Sequence, residues 1–126
     1  MVLCPEFAIL ALTQMKDIKD KKHFRDELAA NERVCALFYA SWCPFSQRFL
    51  PDFDAAAHEK GGEFTSVKVD DIDDLCDEYD INVYPSVIFF ERGKILERLD
   101  GTLGRGLAGH QLSGLIDKCI SRDIDR

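Results

Sequence analysis

Five consecutive residues carry most of the chemistry this sequence offers: Trp42, Cys43, Pro44, Phe45 and Ser46. Proline fits the first position of a helix, where its missing N–H would be unpaired anyway. Phe45, Phe49, Phe53 and Ala56 or Ala57 follow at helical spacing, so a helix is predicted from Pro44 to about Lys60, ended by Gly61-Gly62. Cys43 then stands at the helix N-terminus, before unpaired backbone N–H groups and the positive end of the dipole. Such surroundings favour thiolate, the nucleophilic form of the side chain. Pro44 has no N–H to offer the sulfur, so donors would come from Phe45 and Ser46, with the Ser46 hydroxyl expected to donate to Cys43. His58 lies on the same helix but about 22 Å further along at about 1.5 Å per residue, too far to serve as a base for Cys43.

The other cysteines do not form a second reactive pattern. Cys4, Cys35, Cys76 and Cys119 bring the total to five. An odd, dispersed set is unlike a secreted disulfide scaffold, and the close ligand pairs of a zinc site are missing. No metal site is expected. Cys35 lies in an apolar run and Cys119 on the inward face of a helix, so both are assigned to the core. Cys76 is assigned to a buried thiol with a lesser prospect of regulation. His23 and His110 fall on outer helices and are assigned to the surface. The acids at 70, 71, 73, 74, 77, 78 and 80 lack the glycine and terminal glutamate of an EF-hand loop and are read as a solvated helix start.

The elements that must position these residues follow from periodicity. The 126 residues suit one domain, 1–126. Phe7–Leu12 is expected to be a strand and Asp20–Ala30 a helix burying Phe24 and Leu28, with Ala29 as a third candidate for the buried side. Arg33–Ala40 is apolar at consecutive positions, as in a strand covered on both faces of a largely parallel sheet. After the helix from Pro44 come a strand (Phe64–Asp70), a short acidic helix (Asp71–Tyr79), a strand (Ser86–Glu91), a turn at Arg92-Gly93, a strand (Lys94–Leu99) and a closing helix (Gly109–Ser121). The order β-α-β-α-β-α-β-β-α implies an α/β fold: a mixed, mostly parallel sheet of about five strands flanked by four helices.

Net charge is −7, which speaks against nucleic acid or an anionic membrane surface as the main partner. No apolar run reaches the length of a membrane span. The N-terminus lacks the basic start of a signal peptide and the C-terminus is not a retention signal, so a cytoplasmic, monomeric protein is the expectation.

Four segments in this order resemble the thioredoxin superfamily, including its protein disulfide isomerases. The first is Phe38-Tyr39-Ala40-Ser41-Trp42-Cys43-Pro44-Phe45-Ser46, similar to the active-site segment. The second is Pro51, eight residues after Cys43. The third is Val69-Asp70. The fourth is Tyr79-Asp80-Ile81-Asn82-Val83-Tyr84-Pro85-Ser86, similar to the segment ending in the family's cis-proline. The likeness runs from about residue 7 to 121. It implies a thioredoxin fold with Cys43 as nucleophile, Trp42, Pro44 and Phe45 around it, and Tyr84-Pro85 as the edge on which an extended substrate docks by strand addition.

The departures from the family are informative. Ser46 stands where a second, resolving cysteine is usual, so Cys43 and Ser46 cannot reduce a disulfide as a dithiol pair. Leu37 replaces the family's buried acid and Ser66 its lysine; without a resolving thiol, a buried carboxylate would only carry a desolvation cost. The implied function is monothiol thiol–disulfide exchange on protein thiols and disulfides, isomerase-like or deglutathionylating, with no resident cofactor and glutathione as a candidate external thiol. Two alternatives stand beside it: a binding module that retains clients as mixed disulfides, and a glutaredoxin-like protein binding glutathione and an iron–sulfur cluster. Cys-Pro-Phe-Ser resembles glutaredoxin motifs, but Trp42 and Pro51 do not belong to that family's pattern.

Overall fold

A computed structural model describes residues 15–60, 63–70, 72, 74–102 and 106–124 of the chain. Five strands and four helices alternate along them: β1 (Met15–Asp17), α1 (Lys21–Ala30), β2 (Arg33–Tyr39), α2 (Pro44–Lys60), β3 (Glu63–Lys68), α3 (Asp74–Glu78), β4 (Ser86–Glu91), β5 (Lys94–Asp100) and α4 (Gly109–Ile124). The strands form one sheet in the order β1-β3-β2-β4-β5. The β1–β3 and β3–β2 pairs are parallel, and β4 and β5 join antiparallel. The expected strand at Phe7–Leu12 lies outside the described residues. The strand found first, Met15–Asp17, has no apolar alternation of its own and is defined by its pairing with Phe64–Ser66.

The middle strand explains the layering. From Val34 to Phe38, β2 is buried at every position. Because side chains alternate across a strand, the run splits into two sets. Val34, Ala36 and Phe38 enter one core with Phe24, Leu28, Leu75 and Phe90. Cys35 and Leu37 enter the other with Phe49, Phe53, Leu112 and Ile116. Helices α1 and α3 therefore cover one face, and α2 and α4 the other.

Each helix has a local reason to start and stop. Asp20 caps α1 by accepting from the His23 N–H at 2.7 Å, and Asn31 closes it by donating to the Glu27 carbonyl at 3.0 Å. Along α2, Phe49, Phe53, Ala56 and Ala57 fall on one buried stripe around Pro51. The β4–β5 turn places Arg92 and Gly93 at φ 54° and 78°, the left-handed pair that matches strand twist in a tight hairpin.

Phe24 is the keystone of the first core. Its ring meets Phe38, Tyr79 and Phe90 edge-on at centroid distances of 5.8, 5.8 and 5.7 Å, and it is fully buried. Phe24→Ala is expected to cost about 3–5 kcal/mol, the range for emptying a buried aromatic site. Urea unfolding followed by far-UV circular dichroism checks this, the midpoint falling without a change of slope.

Candidate active site

The chemistry gathers at the C-terminal ends of the parallel strands β2 and β3, where ligands bind in open α/β sheets. Strand β2 ends at Tyr39. The Cys43 N–H donates to the Ala40 carbonyl at 3.2 Å, and the Cys43 carbonyl accepts the first bond of α2, from Gln47 N–H at 3.0 Å. Cys43 is thus the N-cap residue of α2, as its position before Pro44 implied. It is 7% exposed, and its thiol donates to the Tyr84 carbonyl at 3.8 Å.

Ser46 departs from its expected role. It is fully buried, and its hydroxyl oxygen accepts from the Ala40 N–H at 3.2 Å. Among the described residues it makes no hydrogen bond to the Cys43 sulfur. Ser46 therefore fastens the first turn of α2 to the end of β2. Gln47 fastens the same turn from outside, its side-chain amide donating to the Ser41 carbonyl at 2.7 Å.

The rim forms around the sulfur. Trp42 is 68% exposed and meets Tyr84 edge-on at 6.1 Å, with the ring planes at 89°. The Tyr84–Pro85 peptide bond is cis, Pro85 is buried, and the Gly101 N–H donates to the Pro85 carbonyl at 3.0 Å. Pro44 is exposed beside Trp42 in sequence. Phe45 turns inward, half-buried against the first core, with the Arg48 guanidinium 5.1 Å from its ring centroid. Gly106, at φ 74°, lies under Phe45, and a Cβ there would come within 2.7 Å of the Phe45 Cβ. Trp42, Cys43 and Tyr84 thus make direct contact. Ser46 and Phe45 support them from behind.

Sequence reasoning passed over two residues that support the site. Asp70, grouped with the solvated acids, follows β3 and holds the loop before Trp42. It accepts from the Ser41 N–H at 3.0 Å and from the Ser41 hydroxyl at 2.5 Å. These bonds, the hydroxyl first, hold its carboxyl below the ordinary value of 3.8, against a smaller opposing effect of desolvation. The signal was its place in Val69-Asp70, directly after a strand that must run beside β2. Arg98 was missed as well. It donates from Nη1 to the Tyr79 carbonyl at 2.9 Å and from Nη2 to the Asp80 carbonyl at 3.3 Å, and so clamps the chain leading to Tyr84.

Behind the site, the two substituted positions fit together. Leu37 is fully buried and pairs in register with Ser66 of β3 and Val87 of β4. The Ser66 hydroxyl donates to Asp17 at 2.6 Å and ties the edge strand β1 to β3. Burial, with a smaller effect of Cys119, pushes the Cys35 thiol up, which keeps it neutral in the second core. None of the four described cysteines is in a disulfide, and among the described residues no three His, Cys, Asp or Glu side chains are grouped to hold a metal ion.

A family model described as thioredoxin matches residues 15–110. The chain belongs to the thioredoxin family. It is 35% identical over 88 residues to a thioredoxin of Mycoplasmoides gallisepticum, covering 69% of this chain and 88% of that one. It is 32% identical over 88 residues to bovine protein disulfide-isomerase A5, covering 66% of this chain but only 17% of the isomerase. Among solved structures, reduced Schistosoma mansoni thioredoxin pre-protein superposes with a TM-score of 0.75 at 21% identity, over 82% of this chain and 96% of that one. The thioredoxin fold expected from the order of elements is the fold present, and the family's activity is thiol–disulfide oxidoreduction. No helix among the described residues is long and apolar enough to cross a membrane.

The Asp70–Ser41 pair yields a pH prediction. A carboxyl whose folded value lies below its unfolded one stabilises the fold fully above the unfolded value and loses that contribution as pH falls through the folded one. Asp70→Asn is therefore expected to lower stability modestly at neutral pH and to have no effect in strong acid. Urea midpoints of both proteins between pH 7 and pH 2 should converge toward the acid end. A constant gap across the range would contradict the pairing.

Proposed function

We propose that this thioredoxin-family protein performs monothiol thiol–disulfide exchange on protein clients through Cys43. One observation carries the reading: the helix-capping thiol lies against the Tyr84 carbonyl, while the position three residues on is a buried serine engaged with the backbone. In the reaction, the Cys43 thiolate attacks one sulfur of a client disulfide R–S–S–R′. A Cys43–S–S–R bond forms, the S–S bond breaks, and R′ leaves as thiolate. Ser46 carries no sulfur to attack the new bond. Release needs a thiolate from elsewhere, either another cysteine of the client, which gives isomerisation, or glutathione, which returns Cys43 as thiolate and leaves R bonded to glutathione. A glutathionylated client reacts by the same two steps, ending as free client thiol and oxidised glutathione.

The Tyr84 carbonyl fits the docking role. Once Cys43 is in a mixed disulfide its sulfur carries no proton, and the carbonyl loses that donor. It is then available to accept an N–H from an extended client segment lying across Trp42 and Pro85. Cys35, Cys43, Cys76 and Cys119, none in a disulfide, agree with a reducing compartment, and we take a cytoplasmic monomer as the working form.

Refolding of scrambled ribonuclease in a glutathione buffer tests the reading. Activity should return with the native protein and not with Cys43→Ala. If no activity returns while Cys43-linked adducts accumulate on non-reducing gels, the protein retains clients without turning them over. That outcome makes it a binding module. Ser46→Cys supplies a second thiol at a buried position of nearly the same shape. It should form an internal disulfide under oxidation and gain insulin-reducing activity that native protein lacks. It should also be less stable by about 0.5–1.5 kcal/mol, because sulfur is the poorer acceptor for the Ala40 N–H. Insulin reduction by the native protein would contradict the monothiol mechanism.

A further inference from the structure

Cys76 is the one described cysteine outside Cys43 whose sulfur has a polar contact that leads to the site. It lies on α3, 9% exposed, in the core that also holds Leu75 and Ile81. Its sulfur is 3.9 Å from the Tyr84 phenol oxygen. Among the described residues this thiol is the phenol's hydrogen-bond partner, and a part-buried hydroxyl without one loses free energy on leaving water. Burial first, and the Cys76 contact second, push the phenol up to about 12, so it remains protonated and neutral at any working pH.

We propose that Cys76 is a positioning residue for the exchange site, its thiol holding the Tyr84 ring and through that ring the indole of Trp42. The backbone around Tyr84 is fixed by other groups. The Ser86 hydroxyl donates to the Val83 carbonyl at 2.6 Å, the Gly101 N–H holds Pro85, and Arg98 clamps the Tyr79 and Asp80 carbonyls. None of these restrains the Tyr84 side chain. The body of its ring packs against the first core, while its hydroxyl end has Cys76 as polar partner and its ring meets Trp42 edge-on at 6.1 Å. Trp42 is 68% exposed and has little packing of its own to orient it. Losing the Cys76 contact frees the phenol to turn toward water, and the indole loses the surface against which it stands. The sulfur of Cys43, bound to the Tyr84 backbone and not to its ring, is left in place. Client docking weakens while the reactivity of the thiol is unchanged.

The inference rests on Cys43 as the exchange nucleophile, but its first readout does not. Trp42 is the single tryptophan of the chain, so its fluorescence emission and anisotropy report this contact alone. Cys76→Val keeps the volume and removes the polar partner; Cys76→Ser keeps a partner; Tyr84→Phe removes the hydroxyl. Cys76→Val should lower the Trp42 anisotropy and raise KM for a peptide disulfide by about two- to tenfold, the worth of one neutral hydrogen bond. The kcat and the alkylation rate of Cys43 by iodoacetamide should stay at native values. Cys76→Ser should restore both quantities, and Cys76→Val should add nothing to Tyr84→Phe. Native anisotropy and KM in Cys76→Val overturn the proposal, as does failure of serine to rescue or an undiminished valine effect in the Tyr84→Phe background. If Cys76→Val does not fold, Tyr84→Phe decides, and native anisotropy and KM there overturn the proposal. Absence of turnover in the native protein defeats the exchange reading and leaves the anisotropy comparison to decide the positioning role.

Discussion

The first turn of α2 is joined to the end of β2 by side chains of the turn itself, and the site depends on that junction. Ser46 accepts the Ala40 N–H from within, Gln47 reaches back to the Ser41 carbonyl from outside, and Asp70 holds Ser41 from the neighbouring strand. Between them Cys43 has no freedom to leave the helix end, and Trp42 projects outward because its neighbours on both sides are tied inward. A serine at this position is thus a structural solution as well as a chemical loss. It removes a thiol from the site and supplies a better acceptor for a buried N–H, which would otherwise be unpaired.

The layer beneath has adjusted to match. A thiol pair needs a group to take a proton in the interior, and such a group needs a partner to offset its desolvation. Leu37 fills that space with hydrocarbon among Phe49, Phe53 and Val87. Ser66, next to it in register, turns its hydroxyl to Asp17 and serves the sheet edge. The space is filled by packing, and what lies above it is one sulfur, one carbonyl and the rings beside them.

Much of this was legible in the chain because the strongest signals were local. The start of α2 at Pro44 and its end at Lys60 follow from proline, helical spacing and the glycine pair, and β4 at Ser86–Glu91 from an unbroken apolar run. The place of Cys43 at the helix end followed from the same start signal. What escaped depended on partners distant in sequence. Strand β1 is three residues of mixed character that become a strand only by lying beside Phe64–Ser66. Asp70 reads as one acid among many until β3 brings it to Ser41, 29 residues away. The Ser46 hydroxyl was expected to face Cys43, which is nearer in sequence, whereas its oxygen serves the buried Ala40 N–H, which would otherwise lack a partner.

The three segments that build the site sit in different parts of the chain: the loop after β2, Asp70 beyond β3, which holds that loop, and the turn before β4, which meets the sulfur. They meet only when the β2–β3 and β2–β4 pairings have closed, and such non-local pairings form slowly compared with helix turns or hairpins. A chain leaving the ribosome displays a cysteine long before it displays the Tyr84–Pro85 edge. The site is therefore timed by topology. The arrangement of Cys43 against Tyr84 arises only with the completed sheet, and an immature chain presents an ordinary thiol without it.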